Sequence, residues 1–196
     1  MRYYPILLDL EDKKCCVVGG GKVAERKAQT LLKAGACVWV ISPVLTKGLS
    51  GLCRKKKSRH IKSAYQKRFL KNSFLVICAT NNSEINAQVL RDAREAGILT
   101  NVVDAPLKSN FIVPSVIERD GLIISISTSG KAPCLAKRMR IDLTKHFIPR
   151  YVRALKPLGG FRENLKSSCS KAAIRKAVLT KWVNSVVRKR DIRREL

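Results

Sequence analysis

Near its start the chain reads Val17-Val18-Gly19-Gly20-Gly21-Lys22-Val23-Ala24-Glu25-Arg26-Lys27, a β-branched pair followed by glycines and then by residues that favour helices. Gly19, Gly21 and Ala24 fit the G-x-G-x-x-G/A spacing of a dinucleotide-binding turn. In that motif the first glycine permits a tight turn and the second lets the backbone approach a pyrophosphate. The third small residue lets the helix pack closely on its strand. The stretch therefore predicts a strand, a turn and a helix that bind a nucleotide.

Apolar runs alternate with helix-forming stretches on both sides of this turn. We expect strands at residues 14–18, 36–41, 74–79 and 99–103, and helices at residues 24–34 and 83–96, the second capped by Ser83. A lead-in strand at 6–10, a short helix at 44–52 and a short strand at 60–65 are also predicted. The alternation predicts an α/β fold with a Rossmann-like, doubly wound parallel sheet. Polar turns at the carboxyl ends of its strands then meet in one crevice.

The character of the sequence changes after Pro114. We expect a helical stretch at 115–119, a strand at 122–127 and an amphipathic helix at 134–147. A small helical region follows, with breaks near Pro149, at 157–160 and at 167–170. The predicted organisation is therefore a first domain at 1–113, a small α+β region at 114–147 and a helical region at 148–196.

The composition excludes several classes of protein. No apolar run among the 196 residues approaches the roughly 20 needed to span a bilayer, and the N-terminus lacks the order of a signal peptide. A cytoplasmic protein without a membrane partner is expected. The seven cysteines include no C-x-x-C pair, which argues against a zinc site or a dithiol motif, and those in strands should be buried.

The charge is strongly basic, with 40 Lys and Arg against 14 Asp and Glu, a formal +26. Residues 54–71 carry nine basic side chains and no acid, and residues 131–196 carry 19 basic and four acidic ones. A polyanionic partner, nucleic acid by default, is one interpretation, and a solvated basic surface is the other. Aromatic residues do not interleave with the basic run as base stacking requires.

Six motifs occur in the order and spacing of one enzyme family: Tyr4-Pro5-Ile6, residues 17–27, Ala79-Thr80-Asn81, Asn101-Val102-Val103-Asp104, Asn110-Phe111-Ile112-Val113-Pro114 and residues 126–133. Over about residues 3–143 the chain resembles the precorrin-2 dehydrogenases of sirohaem synthesis. These include the stand-alone enzymes and the N-terminal module of fused sirohaem synthases. Beyond residue 147 only a helical tail of the length such enzymes carry is recognisable.

The resemblance implies an NAD-dependent oxidation of precorrin-2 to sirohydrochlorin. In some members it also implies the insertion of ferrous iron to give sirohaem. It implies a homodimer built from an NAD-binding Rossmann domain, a dimerisation region and a C-terminal helical region. Because the substrate is a tetrapyrrole rich in carboxylates, a basic surface would attract it without nucleic acid. We therefore expect no nucleic-acid partner and no resident metal, with iron present only as a substrate.

The family match makes Asp104 the catalytic candidate, a carboxylate that can accept a proton beside the nicotinamide. Residues expected to bind the cofactor are Gly19, Gly21, Lys22, Val23, Ala24, Ser42, Pro43, Val44, Thr80 and Asn81. Residues expected to bind substrate are Asn110, Thr128, Ser129, Lys131 and Arg138. Ser42 stands at the position where an acidic residue usually binds the adenine ribose. Without that acid, NADP is an alternative cofactor. The family resemblance favours NAD, because the family has a serine or similar residue there and uses NAD.

Two alternatives compete with an oxidoreductase. One is a non-catalytic Rossmann module that senses NAD and signals to a partner, but such domains lack the motif at residues 110–114. The other is a basic nucleic-acid binder with an inactive Rossmann core, against which the intact glycines and Asp104 argue. His60 and His146 are the only histidines, and this scarcity disfavours a dedicated chelatase.

Overall fold

The computed structural model of the protein describes residues 2–103, 105–146 and 148–188. Its contacts divide the chain into two units, Met1–Val113 and Pro114–Leu196. In the described ranges, the first unit alternates strands and helices, and the second contains a β-hairpin and three helices. Within the described residues, no helix is both long and apolar enough to cross a bilayer.

The described residues of the first unit form five strands, three α-helices and a short 3-10 helix at Lys67–Leu70. In chain order the strands and α-helices are β1 (Lys14–Val18), α1 (Lys22–Lys33), β2 (Cys37–Ile41), α2 (Lys47–Leu52), β3 (Ser58–Ile61), β4 (Leu75–Cys78), α3 (Ser83–Glu95) and β5 (Leu99–Val102). All five strands are parallel and lie in the order β3-β2-β1-β4-β5. The predicted Rossmann-like fold is confirmed.

Side chains of the central strands alternate between two apolar layers, because successive residues of a strand point to opposite faces. Cys15 and Val17 of β1 pack with α1 and α2 on one face, and Cys16 and Val18 pack with α3 and the 3-10 helix on the other. Both faces of β1 and β4 are therefore buried, which explains why these strands read as continuous apolar runs. The thiols of Cys15 and Cys16 are buried, as predicted.

The strand order reverses between β1 and β4. β1 pairs with β2 on one side and with β4 on the other, so the chain leaves β1 toward one edge of the sheet and returns at β4 toward the other edge. In open α/β sheets, ligands bind in the crevice at such a switch point, outside the carboxyl ends of the strands. The fold therefore places the glycine turn after β1 and the turn after β4 side by side.

Two local predictions in the first unit are wrong. Residues 6–10 are not a strand, because both edges of β1 are occupied by β2 and β4. Ile6 and Leu7 are exposed instead. The N-cap of α3 is Asn82 rather than Ser83, since the Asn82 side chain accepts hydrogen bonds from the N–H groups of Glu84 and Ile85 at 2.9 and 3.0 Å.

The second unit begins with a hairpin of β6 (Ser115–Arg119) and β7 (Leu122–Ile126). The predicted helix at residues 115–119 is therefore wrong. Asp120 and Gly121 both have positive φ, 48° and 83°, the backbone of a two-residue type I′ turn. This Asp-Gly pair was the sequence signal for a hairpin, and it outweighs the weak helical pattern before it.

Three helices complete the second unit: α4 (Pro133–His146), α5 (Ile148–Ser168) and α6 (Ala172–Arg188). The hairpin packs on α4 and α5 through the buried side chains of Ile117, Ile126, Ala136 and Ile148. The predicted breaks near Pro149 and at 167–170 are confirmed, since α4 ends at His146, α5 runs from Ile148 to Ser168 and α6 begins at Ala172. The predicted break at 157–160 is wrong, because α5 runs through it. Pro149 lies in the first helical turn, where its missing N–H has no intrahelical partner to lose.

Candidate cofactor site

The first two glycines of the turn after β1 are fixed by close backbone packing. Gly19 has φ +128°, and a Cβ there would lie 2.4 Å from the carbonyl oxygen of Ala79 at the end of β4. At Gly20 a Cβ would lie 1.8 Å from the carbonyl oxygen of Val44. The glycine motif assigns a role to Gly19 but none to Gly20. Because Gly20 has no side chain, the turns after β1 and β2 can come into contact there.

Gly21 differs from its neighbours because the protein itself does not require a glycine there. Apart from Gly21 itself and its two chain neighbours, no described residue has a heavy atom within 4 Å of a Cβ built at Gly21, and its backbone is extended at φ −83° and ψ −176°. Its missing side chain therefore leaves open space at the start of α1. Such space fits a ligand that approaches the backbone closely, as a pyrophosphate does.

The N-terminus of α1 also lacks a side-chain cap among the described residues. Thr46 caps α2 and Asn82 caps α3 through side-chain oxygens, whereas no described side chain caps α1. The first N–H groups of a helix have no intrahelical acceptor and carry the positive end of the helix dipole. Together with the open space at Gly21, these N–H groups form a site that suits phosphate oxygens.

The turn after β2 is held by its own hydrogen bonds. The Ser42 hydroxyl donates to the carbonyl of Val44 at 2.8 Å, and the N–H of Thr46 donates to the carbonyl of Gly20 at 2.9 Å. His60 Nε2 donates to the carbonyl of Ser42 at 2.9 Å. His60 therefore supports the turn expected to border the adenosine, a role that only the pairing of β3 with β2 reveals.

Reciprocal hydrogen bonds fix the turn after β4. The Thr80 hydroxyl donates to Oδ1 of Asn86 at 2.8 Å, and Nδ2 of Asn86 donates to the Thr80 carbonyl at 3.0 Å. The N–H of Asn82 also donates to the Thr80 hydroxyl, at 3.2 Å. Asn86, on the first turn of α3, was missed because its partner is set by the loop geometry rather than by any spacing in the sequence.

These three turns enclose a cleft of about 470 Å³. It contains seven of the predicted cofactor residues, namely Gly19, Gly21, Ser42, Pro43, Val44, Thr80 and Asn81, beside Gly20, Leu45, Thr46, Ala79 and Ile85. Lys22 instead lines an adjoining hollow of about 410 Å³ that shares Thr46 with the cleft. Ala24 is fully buried against the core, as close packing of α1 on the sheet requires, and Val23 is partly buried beside it.

A wider hollow of about 730 Å³ lies along α6. One helix supplies its whole lining, so the hollow is an open surface rather than a cleft between elements. The cleft beside the glycine turn is the better candidate, since three strand ends and a helix N-terminus converge on it.

The catalytic candidate Asp104 lies outside the described residues. The other predicted residue of this unit, Asn110, supports β5: its side-chain carbonyl accepts from the N–H of Thr100 at 2.8 Å. At least one polar atom of Asn110 therefore serves the strand rather than a ligand.

The remaining substrate candidates belong to the second unit. The Thr128 hydroxyl accepts from the N–H of Ala132 at 3.1 Å and so holds the turn into α4. Ser129 has φ +54° in the same turn, and Lys131 is exposed. Arg138 is exposed on α4 and pairs with Asp142 through Nε at 2.9 Å. Thr128 thus has a demonstrated structural task, while Lys131 and Arg138 present charge to solvent.

Titratable groups around the cleft offer neither thiolate chemistry nor a metal site. Burial raises the pKa of Cys78, the last residue of β4, to about 12, so its thiol stays protonated. Burial raises the pKa of Cys15 to about 12 as well, with smaller contributions from Cys16 and Cys37. Within the described part of the chain, no cluster of three His, Cys, Asp or Glu side chains suits a metal ion.

Comparison with known proteins agrees with this geometry. A family model described as "Putative NAD(P)-binding" matches residues 6–115, the unit that holds the cleft. The chain is 41% identical over 168 residues to "Siroheme synthase 1" of Aeromonas salmonicida, which covers 85% of this chain and 36% of that protein. It is 38% identical over 177 residues to "Siroheme synthase" of Photobacterium profundum, covering 90% of this chain and 38% of that one.

A solved structure described as "SirC, precorrin-2 dehydrogenase" superposes with a TM-score of 0.77 and 26% identity. The match covers 91% of this chain and 88% of that one. The chain therefore belongs to the NAD(P)-binding family, and the resemblance to sirohaem synthases and precorrin-2 dehydrogenases predicted from the sequence is confirmed. It spans a little over a third of the length of the two sirohaem synthases. The site is that of a nicotinamide cofactor.

Proposed function

We propose that the protein is an NAD-dependent dehydrogenase that oxidises precorrin-2 to sirohydrochlorin. The observation that carries this proposal is the structural likeness to a precorrin-2 dehydrogenase over nearly the whole of both chains. Identity near 40% to sirohaem synthases supports the same assignment. The fused enzymes are much longer, so only the reaction that this part of the chain can perform is proposed.

The cleft suggests how the cofactor binds. Backbone N–H groups of Gly21, Lys22 and Val23 at the start of α1 would hold the pyrophosphate. Pro43 and Val44 would border the adenosine, and Thr80 and Asn81 the ribose and nicotinamide. We propose NAD rather than NADP, because the family resemblance favours it and the Ser42 hydroxyl is already bonded to Val44 rather than offered to a 2′-phosphate.

The reaction removes two hydrogens from adjacent positions of the macrocycle, one as hydride and one as a proton. When bound, NAD⁺ supplies the acceptor for the hydride. Asp104, two residues after β5 in the sequence, would accept the proton as general base. The products are then sirohydrochlorin, NADH and a proton, so atoms and charge balance.

The rest of the chain would supply binding rather than chemistry. Lys131 and Arg138 are exposed cations that suit the substrate's carboxylates, and Arg138 offers a planar fork for them. Asn110, Thr128 and Ser129 stay candidates for polar contacts. The formal charge of +26 would raise the local concentration of a polyanionic substrate. We also propose a homodimer, with the dimerisation region at 114–147 and the helical region at 148–196.

An anaerobic assay with precorrin-2 and NAD tests the function. We expect sirohydrochlorin and NADH to appear together with the wild-type protein. Asp104→Asn should lower kcat by about 10²-fold or more, the usual contribution of a general base, with NAD affinity retained. Asp120→Asn is a matched control, because asparagine also suits the type I′ turn, and it should leave kcat unchanged.

Two other results of this assay would change the proposal. NAD binding without turnover would replace the proposal with an NAD-sensing module. Full activity in Asp104→Asn would remove Asp104 from the mechanism. Adding ferrous iron to the product then tests chelation, for which sirohaem formation above the rate without protein is the required result.

A further inference from the structure

The described residues on either side of position 104 are joined by a backbone hydrogen bond. The N–H of Ala105 donates to the carbonyl of Val102 at 3.2 Å. Residues 103 and 104 are the two that separate this donor from its acceptor. Whatever fixes Val102 and Ala105 therefore fixes both ends of the short segment that carries the proposed general base.

Ser109 fixes both of them through one hydroxyl. Its Oγ accepts from the N–H of Val102 at 2.9 Å and donates to the carbonyl of Ala105 at 3.1 Å. The Ser109 side chain is buried, with only 8% of the residue exposed, so water does not compete readily for these bonds. The first and last residues of the turn are thus tied to the same oxygen atom.

Hydrogen bonds to β5 hold the segment that contains Ser109. This segment lies along the outer edge of β5, the last strand of the sheet. Of the strands that the structure describes, β5 pairs with β4 alone, so its outer N–H and C=O groups need other partners. Asn110 supplies two of them, since its N–H donates to the carbonyl of Thr100 at 3.1 Å and its side chain accepts from the Thr100 N–H. Nδ2 of Asn101 donates to the carbonyl of Phe111 at 3.1 Å. Residues 109–111 therefore act in place of a sixth strand.

We propose that Ser109 is a positioning residue for the proposed general base: its hydroxyl ties Val102 to Ala105 and so holds the backbone on both sides of position 104. This inference rests on the proposed function, because it gives Asp104 the role of general base. Ser109 acts on the backbone, through its hydrogen bonds to Val102 and Ala105.

The test compares Ser109→Ala with Thr100→Val in anaerobic steady-state assays with precorrin-2 and NAD. Thr100→Val is matched because, like Ser109→Ala, it removes one buried hydroxyl that donates to a backbone carbonyl. The Thr100 hydroxyl donates to the carbonyl of Ile98, near the start of β5 and away from Val102. We expect kcat to fall roughly 10- to 100-fold in Ser109→Ala, the size of effect that a small misplacement of a reacting group produces. The KM for NAD should stay at the wild-type value, and Thr100→Val should keep wild-type kcat.

A double-mutant cycle shows whether Ser109 acts through Asp104. If it does, adding Ser109→Ala to Asp104→Asn causes no further loss of kcat, because the base is already gone. Independent losses that multiply would overturn the proposal. Ser109→Cys keeps a weak donor and acceptor and should recover part of the activity.

Amide hydrogen exchange of the same variants gives a readout without turnover. Ser109→Ala should speed exchange at Val102 and Ala105 while β1 and β4 stay protected. Wild-type kcat in a folded Ser109→Ala protein, or equal losses in Ser109→Ala and Thr100→Val, would overturn the inference. Absence of turnover in the wild type would instead overturn the proposed function, so the two failures are distinguishable.

Discussion

Gly21→Ala should separate cofactor binding from folding. The new methyl group enters space that no described atom of the protein approaches within 4 Å, and the extended backbone at Gly21 suits alanine. Loss of glycine from an N-cap costs about 1 kcal/mol, and the lower entropy of the unfolded chain returns about 0.4–1 kcal/mol. The free energy of unfolding should therefore change by less than about 1 kcal/mol.

The cofactor should sense the same methyl group strongly. If a pyrophosphate lies against Gly21, an added methyl overfills that contact at a cost of about 1–3 kcal/mol. This corresponds to a dissociation constant for NAD that is roughly 5- to 150-fold higher. Displacement of fluorescent NADH by NAD measures the dissociation constant for NAD. Urea unfolding of the same preparation measures the free energy of unfolding.

Gly19→Ala is the contrasting variant. Its φ of +128° costs alanine about 1–3 kcal/mol, and the close approach to Ala79 adds about 1–3 kcal/mol. A loss of about 2–6 kcal/mol is a large part of the roughly 5–15 kcal/mol that a typical domain has. Wild-type NAD affinity in Gly21→Ala, or a loss of stability equal to that of Gly19→Ala, would contradict a pyrophosphate contact at Gly21.

The remaining predictions concern the hairpin and the thiols. Gly121→Ala should destabilise the second unit by about 1–2 kcal/mol because φ is +83°, whereas Gly159→Ala, inside α5, should stabilise it by about 0.5–1 kcal/mol; thermal unfolding compares the two. A thiol reagent should label exposed Cys134 in the folded protein and reach Cys15 and Cys78 only on unfolding. Since burial raises the pKa of both buried thiols to about 12, their contribution to stability is complete below the unfolded pKa of about 8.5 and declines as the pH rises toward 12, which urea unfolding across that range checks.

The sheet could be predicted because its signals are local. β1 and β4 are short apolar runs that end in turns, and α1 shows buried residues at helical spacing, Ala24, Ala28 and Leu31. The Gly19–Gly21–Ala24 spacing then placed the cleft, since parallel strands bring their carboxyl ends to one edge. Periodicity and one glycine turn were enough for the fold.

The errors came where partners distant in sequence decide the structure. Residues 6–10 look like a strand, but β1 has no free edge beside which they can pair. Residues 115–119 look weakly helical, but the turn at Asp120 and Gly121 makes them a strand. Local composition does not contain the identity of the neighbouring element, so it cannot resolve such cases.

The same limit applies to the site. Gly20, His60, Asn86 and Ser109 were missed because each acts on a loop that the fold brings to it. Asn110 was singled out from the sequence for binding a ligand, and the structure shows that its side-chain carbonyl supports β5. Motifs identify the residues that face a ligand better than the residues that hold them.

Amide hydrogen exchange with and without NAD tests most directly whether the three turns form one cofactor site. We expect slower exchange on NAD addition at residues 19–24, 42–46 and 79–82 together, with α6 unchanged. Protection confined to α6, or absent from the glycine turn, would contradict this expectation.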